Sequence, residues 1–273
     1  MARHQRTIKN EVSISGIGLH TGVKSTVTFK PAPENYWIRF VRTDVENCPE
    51  ILADINHVTD ISRGTTLSQN GVQVHTVEHV LSAVAGLGID NIIIEINNIE
   101  PPVCDGSAIE FVRALKQAEI VEQGAEQEIL VIDKILTYSD PKKHVDIHIT
   151  PAEKFQITFL IDYSEIPAIG TQYSTTYSLE EEFETDYAAA RTFCTLSEIE
   201  ELKNRGLIKG GNVNNAVVFV DRHIEPGEIA RLRELFGISS DISIGQGGTL
   251  NGVELRYYNE AVRHKIVDLI GDF

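Results

Sequence analysis

Two histidine-containing segments carry the residue types that bind a divalent metal ion. The first is His75-Thr-Val-Glu78-His79, and the second runs from residue 263 to residue 272 (RHKIVDLIGD). His264, Asp268 and Asp272 recur every four residues in the second segment, so in a helix they share one face. Such a polar stripe of histidine and aspartate beside an apolar stripe is what a helix that lines a metal-binding cleft needs, and three protein ligands with a fourth position open for water are typical of catalytic zinc sites. An exposed helix face with one incidental histidine is the simpler alternative.

The first segment allows two assignments of the metal ligands. His-x-x-Glu-His is the inverzincin pattern, in which His75 and His79 bind zinc and Glu78 is the base. In the other assignment only His79 binds, together with His264 and Asp268, and Glu78 takes a proton from the attacking water. Histidines with a purely structural role would also produce this pattern. The residues alone leave these possibilities open.

Hydrophobic periodicity predicts that both segments lie on helices. Apolar residues follow helical spacing over residues 74–87, and the last residues, 259–273, form a second helix. Strand-like segments surround both helices. The polar segment 122–127 is the best candidate for a linker between two halves of similar size. Each half mixes strands with about two helices, which predicts an α+β protein of two domains.

Composition argues against several classes of protein. The chain has 273 residues and a formal net charge of −16, which disfavours binding to a nucleic-acid polymer. No stretch approaches the ~18 apolar residues of a membrane-spanning helix, and no apolar secretion signal follows the first residues. We therefore expect no stable membrane insertion. The three cysteines are widely spaced, which fits the reduced thiols of a cytoplasmic protein.

Short segments rich in glycine, histidine and aspartate are spread over nearly the whole chain. They are residues 16–22 (GIGLHTG), 75–79 (HTVEH), 86–91 (GLGIDN), 105–108 (DGSA), 190–193 (ARTF), 205–207 (RGL) with Gly210 and Gly211, and 262–272 (VRHKIVDLIGD). In content and order they resemble the bacterial UDP-3-O-acyl-N-acetylglucosamine deacetylases, which are zinc amidases of lipid A biosynthesis. The resemblance implies hydrolysis of a UDP-linked 3-O-acyl-N-acetylglucosamine with release of acetate, the committed step of that pathway.

The resemblance also implies roles for individual residues. His79, His264 and Asp268 would be the ligands of Zn²⁺. Glu78 would be the general base, and the Thr192 hydroxyl would steady the oxyanion of the tetrahedral intermediate.

A substrate-binding surface follows from the same resemblance. Lys265 would meet the nucleotide phosphate, and an insert at about residues 197–220 would form a passage for the acyl chain. The remaining implied contacts are Asp162, Tyr163 and Phe193 with the sugar or uridine, and Leu19, Ile199 and Gly211 with the acyl chain.

The implied fold is α+β, with two similar domains that each pack a sheet on two helices. The helices would meet between the sheets in a layered sandwich. Residues 1–124 would form the first domain and residues 125–273 the second. His79 then comes from one domain and His264 and Asp268 from the other, so the active cleft should lie between the domains.

The resemblance includes one departure, at the end of the sequence. Members of the family continue into a Gly-His-x-Ser-Gly-His segment, whose last histidine protonates the leaving amine. Asp272 matches the carboxylate that orients this histidine, so we expect a chain that stops before the motif. His20 and His223 are conceivable replacements. Some members carry a fused 3-hydroxyacyl-ACP dehydratase domain, and the parent of this chain could be one of them.

Two other functions stay open at this point. One is a different zinc hydrolase that uses His75 and His79. The other is a fragment that binds a nucleotide sugar without turnover.

Overall fold

The chain forms a mixed α+β structure, as expected. A computed structural model describes residues 3–236, 242–245 and 247–273. No helix in these ranges is long and apolar enough to cross a membrane. The strands are β1 (His4–Ile8), β2 (Val12–Ile17), β3 (Lys24–Pro31), β4 (Ile38–Arg42), β5 (Glu50–Leu52), β6 (Val58–Asp60), β7 (Thr66–Gln69), β8 (Val72–Val74), β9 (Ile92–Ile96), β10 (Ile120–Glu126), β11 (Leu136–Asp140), β12 (Val145–Ile149), β13 (Ile157–Tyr163), β14 (Gly170–Thr176), β15 (Phe193–Thr195) and β16 (Val217–Phe219). The α-helices are α1 (Glu78–Gly86), α2 (Ile109–Gln117), α3 (Leu179–Glu182), α4 (Leu196–Asn204), α5 (Ile229–Phe236) and α6 (Glu260–Asp272), with 3₁₀ turns at Ile55–His57 and Pro226–Glu228 and a π-helical turn at Phe183–Tyr187.

The first half is built on a five-stranded sheet with the order β2-β3-β9-β4-β5. Its central strand β9 pairs antiparallel with β3 and parallel with β4. Ile92, Ile94 and Ile96 are fully buried, whereas Ile93 and Glu95 between them are only partly buried. This alternation follows from the two-residue period of a strand and places the core on one face of the sheet.

The predicted linker at residues 122–127 is wrong, because most of it belongs to β10. That strand pairs antiparallel with β1, which returns the chain to its first residues. The segment is polar because about half of its side chains face solvent. A half-exposed strand at the edge of a fold has the same composition as a linker, so composition alone cannot distinguish the two.

Helices α1 and α6 pack directly against each other in the middle of the molecule. The predicted first helix began at residue 74, but α1 begins at Glu78, because residues 72–74 form β8 and Thr76 has a φ of 53°. All residues of α1 except Ala85 are buried, as expected of a helix that is covered on every side. The second predicted helix, 259–273, is confirmed as α6.

The second half contains three separate two-stranded sheets within its described residues. They are the antiparallel hairpins β11–β12 and β13–β14 and the parallel pair β15–β16. β13 packs on α6 through buried residues that include Ile157 and Ile161. Most side chains of β11 and β12 are exposed.

A glycine permits the close approach of the two central helices. A Cβ atom on Gly271 of α6 would lie 2.0 Å from the carbonyl oxygen of Glu78 at the start of α1. Real Cβ atoms do not approach backbone oxygens this closely, so any side chain here would push the helices apart. The position of α6 relative to His79 therefore depends on this contact.

We predict that Gly271→Ala lowers the free energy of unfolding by about 1–3 kcal/mol, the usual cost of overpacking a core. Alanine is more favourable than glycine in a helix by about 1 kcal/mol. A net decrease in the free energy of unfolding would therefore arise from the disturbed contact between α1 and α6. Urea denaturation of the metal-free protein measures it. Gly227→Ala is the matched control, since a Cβ there meets nothing within 4 Å. Equal stability of the two variants would contradict the prediction.

Candidate metal centre

Three side chains from α1 and α6, two of them buried and the third, Asp268, partly buried, converge between the helices. We call His79, His264 and Asp268 the ligand triad. Asp268 Oδ1 lies 3.6 Å from His79 Nε2 and 3.2 Å from His264 Nε2, and all three ligand atoms lie within 4.8 Å of one another. Zinc bonds of ~2.0–2.1 Å in a tetrahedron separate neighbouring ligand atoms by about 3.3 Å. The triad therefore fits one small divalent cation with little rearrangement.

Hydrogen bonding and charge prepare the triad for a cation. His264 Nδ1 lies 3.0 Å from the carbonyl oxygen of Ala190, so Nδ1 carries the proton and the lone pair of Nε2 faces the triad. Burial lowers the pKa of His264 to about 4, which keeps this imidazole neutral near pH 7. Although burial opposes its ionisation, the adjacent His264 and Lys265 hold the pKa of Asp268 well below its usual range. Burial also opposes protonation of His79, yet the nearby carboxylate of Asp268 raises the pKa of His79 overall.

His75 does not take part in this cluster. It precedes α1, and its Nδ1 lies 3.4 Å from the Thr66 hydroxyl oxygen, away from the triad. Within the described residues, the only group of His, Cys, Asp or Glu side chains close enough to share a metal ion is the ligand triad. The inverzincin assignment required His75 and His79 on one helix, and the positive φ of Thr76 prevents this.

Glu78 is held beside the triad at the start of α1. Its Oε2 accepts a hydrogen bond of 2.9 Å from the backbone N–H of Thr65. Burial raises the pKa of Glu78 to about 7. The Thr65 hydroxyl donates to Asp272 Oδ1 at 2.5 Å, so one residue fixes both carboxyl groups. Burial also raises the pKa of Asp272.

A cavity of about 520 Å³ opens beside the triad, between α1, α6, the loop 61–65 and residues 192–218. It brings together every residue that the sequence assigned to the site except Asp162. The Asp162 side chain is exposed on β13, where its Oδ1 accepts hydrogen bonds from the Thr171 hydroxyl and the Ser164 N–H. Side chains alternate along a strand, so Tyr163 faces the cavity and Asp162 cannot.

One wall of the cavity is aromatic and cationic. The rings of Tyr163 and Phe193 meet edge to face with centroids 5.9 Å apart. Lys265 Nζ lies 5.6 Å from the Phe193 ring centroid and donates to Asp268 Oδ2 at 3.0 Å. Asp268 raises the pKa of Lys265, so the ammonium group stays charged. Thr192 is fixed next to this wall, since its N–H donates to the Gly106 carbonyl and its own carbonyl accepts from Val217 N–H.

Another part of the cavity is apolar. Its wall includes α4, whose N-cap is Thr195 in a capping box with Glu198. A turn at residues 206–211 closes the wall and bonds to a loop at residues 18–22, with Gly210 N–H donating to the Leu19 carbonyl at 3.0 Å. This apolar part is lined by Leu19, Ile199, Leu202, Ile208, Gly211 and Val218.

Three groups that shape the site have no signal in the sequence. The Thr65 N–H positions Glu78, the Ala190 carbonyl positions His264, and the Glu100 carboxylate accepts hydrogen bonds from the loop 18–22. No local pattern marks any of them, because each acts on residues distant in sequence. Of the two conceivable substitute histidines, His20 lines the cavity, whereas His223 is exposed beside Glu225.

These features define a class: an α+β protein with a buried His-His-Asp metal site and an adjacent carboxyl group, as in metal-dependent hydrolases. A sequence model of UDP-3-O-acyl N-acetylglycosamine deacetylase (LpxC) matches residues 5–236. The chain therefore belongs to this deacetylase family, and the resemblance drawn from its motifs is confirmed.

Named relatives agree with this assignment. The UDP-3-O-acyl-N-acetylglucosamine deacetylase of Saccharophagus degradans is 42% identical over 269 residues, which cover 98% of this chain and 80% of that protein. The bifunctional enzyme LpxC/FabZ of Chlorobaculum tepidum is 48% identical over 273 residues, covering 100% of this chain and 58% of that protein. The bifunctional enzyme of Bacteroides thetaiotaomicron is 39% identical over 268 residues, covering 98% and 58%. The chain thus spans little more than half the length of these bifunctional relatives.

We predict that His264→Ala weakens binding of Zn²⁺ by at least about 100-fold, because loss of even an outer partner of a ligand costs about 10–100-fold. His75→Ala, the matched control, should bind Zn²⁺ like the unaltered protein. Isothermal titration of the metal-free proteins with Zn²⁺ measures both. Loss of zinc in the His75 variant with retention in the His264 variant would overturn the ligand triad.

Proposed function

We propose that the protein is a zinc-dependent amidase that hydrolyses the acetamide of a UDP-3-O-acyl-N-acetylglucosamine and releases acetate. The observation that carries this proposal is the ligand triad beside the buried carboxyl group of Glu78. The family assignment supplies the substrate class. Two imidazoles and one carboxylate suit Zn²⁺ better than Mg²⁺ or Ca²⁺, which prefer oxygen ligands throughout.

Glu78 is placed to act as the general base. When bound, Zn²⁺ would supply Lewis-acid polarisation of the amide carbonyl and a lower pKa for the attacking water. A base works best with a pKa near the operating pH, and burial brings the pKa of Glu78 to about 7. The Thr65 N–H binds one carboxyl oxygen of Glu78 and fixes the direction of the other. Glu78 would then take the proton as the water oxygen attacks the carbonyl carbon.

Thr192 and Asp272 would serve the later stages of the reaction. Thr192 lines the cavity and is held by two backbone hydrogen bonds, and its hydroxyl would donate to the developing oxyanion. Asp272 is held by the Thr65 hydroxyl. It would orient the proton donor for the leaving amine, which in the family is the last histidine of the Gly-His-x-Ser-Gly-His segment.

The two ends of the cavity suit the two ends of the substrate. Lys265 would bind a phosphate of the nucleotide, and the Tyr163 and Phe193 rings would pack on the sugar or uridine. The acyl chain would enter the apolar part of the cavity, which we call the acyl arm, past Leu19, Ile199 and Gly211. The Asp162 side chain would act only indirectly, by holding the β13–β14 turn beside Tyr163.

We also propose the two-domain layered sandwich, with residues 1–124 and 125–273 as its domains. Its support is a repeated order of elements: two hairpins and then a central helix. The first set is β2–β3, β4–β5 and α1, and the second is β11–β12, β13–β14 and α6.

A cytoplasmic location is part of the proposal, supported by three cysteines without disulfide partners. So is a fused second activity in the longer protein, as the names of the bifunctional relatives suggest.

The proposal predicts acetate release from UDP-3-O-acyl-N-acetylglucosamine in the presence of Zn²⁺. Glu78→Gln should lower the turnover number by about 10²–10⁴-fold, since it removes the base. Zinc affinity should stay within a few-fold, because Glu78 is not a ligand. Glu110→Gln is the matched control, since Glu110 also lies in the first turn of a helix but is paired at the surface with Arg113.

Two outcomes would contradict this proposal. Full activity of the Glu78 variant would exclude it as the base. Binding of the substrate without acetate release, by a zinc-loaded chain extended through the Gly-His-x-Ser-Gly-His motif expected from the family, would instead indicate a nucleotide-sugar-binding function.

A further inference from the structure

Glu100 is a buried carboxylate that lies behind the wall of the cavity rather than in the metal centre. It follows β9, is 1% exposed, and accepts hydrogen bonds from two backbone N–H groups of the loop 18–22. His20 N–H donates to Oε1 at 2.9 Å, and Thr21 N–H donates to Oε2 at 2.8 Å. The Thr21 hydroxyl adds a bond of 2.7 Å to Oε2.

Every hydrogen bond recorded for this carboxylate comes from a neutral donor. Burial of a charged group is costly unless hydrogen bonds replace its water. Here the donors come from the loop 18–22 and from the Thr76 hydroxyl, which is 3.2 Å from Oε1 and just precedes α1. A Cβ atom on Gly18 would lie 2.4 Å from Oε2, so the loop wraps the carboxylate closely. Glu100 therefore holds the conformation of this loop.

The loop in turn supports the wall of the acyl arm. The Leu19 carbonyl accepts from Gly210 N–H at 3.0 Å, and the His20 carbonyl accepts from Lys209 N–H at 3.3 Å. The turn 206–211 thus rests on the same two residues whose side chains line the cavity. A shift of the loop would move Leu19 and the turn together, and the acyl arm would change its width.

We propose that Glu100 is a positioning residue that sets the acyl-chain selectivity of the protein. It acts through the loop 18–22 on Leu19 and on the turn 206–211, without touching the metal centre. The identification of the ligand as an acyl chain rests on the proposed function. The dependence of the acyl arm on Glu100 rests on the contacts alone.

The test is Glu100→Gln, which keeps the shape of the side chain but removes its charge. A glutamine NH₂ group would face an N–H or O–H donor on at least one side, so the loop would lose bonds to a charged acceptor. Glu95→Gln is the matched control, because Glu95 lies on the same β9 segment and pairs with Lys30 at the partly exposed sheet surface.

Two measurements on the zinc-loaded protein separate selectivity from general damage. The first is binding of octanoate and of myristate by isothermal titration, which needs no turnover. We expect Glu100→Gln to change the ratio of the affinities for the two acids by about tenfold or more, with zinc affinity unchanged. The second is the steady-state kinetics of deacetylation, in which KM should rise for a long-acyl substrate while kcat for a short-acyl substrate is preserved.

The outcomes decide between a positioning role and its alternatives. Unchanged chain-length preference would overturn the proposal, and so would an equal loss of zinc binding and of kcat for both substrates. Thr21→Val removes one donor and leaves the charge in place, so it should show a smaller change in the same direction. If Glu100→Gln does not fold, an unaltered preference in Thr21→Val overturns the proposal. Chain-length-dependent binding without acetate release would refute the deacetylase function and leave the role of Glu100 standing.

Discussion

The contact between α1 and α6 is the constraint on which the rest of the structure depends. It joins a helix from the first third of the chain to the last helix, and Gly271 allows it to be close. The ligand triad exists only because His79 and the His264–Asp268 pair face each other across this contact. Since the Glu78 carbonyl is itself the surface that Gly271 meets, the same packing also fixes the neighbouring carboxyl group.

Burial at this contact sets the electrostatics of the site. Asp268 stays ionised because imidazoles and Lys265 surround it, whereas the pKa of Glu78 rises because little compensates its burial. Asp268 and Glu78 therefore differ in pKa although both lie at the contact between α1 and α6, which suits their proposed roles as metal ligand and general base. The chain as a whole carries a net charge of −16, which repels anionic ligands such as a nucleotide. Lys265 supplies a local positive charge that opposes this repulsion.

Additional contacts fix the position of the outer parts of the site relative to α1 and α6. Arg191 and Glu260 form a buried ion pair, with 2.8 Å between Nε and Oε1, that connects the Thr192 segment to the start of α6. Arg256 bonds to Asp105 at 2.7 Å and so links the second half to the loop before α2. On the other side, Glu100 and the backbone bonds of the loop 18–22 hold the apolar wall of the cavity. The ligand triad lies on two packed helices, whereas much of the cavity wall lies on loops that need separate anchors.

The sequence by itself determined the types of residue at the metal centre, the two helices that carry them and the family. The four-residue spacing on α6 and the adjacent Glu78-His79 pair are local features, so they can be recognised in the sequence without knowledge of the fold. Only the tertiary structure decided between His75 and His264, because the choice depends on the φ of Thr76 and on which helices pack together. The tertiary structure also showed that the predicted linker is β10 and that the Asp162 side chain faces solvent. It identified the hydrogen-bond partners of Thr65 and Glu100 as well. Each of these depends on contacts between residues far apart in the chain, which no local pattern encodes.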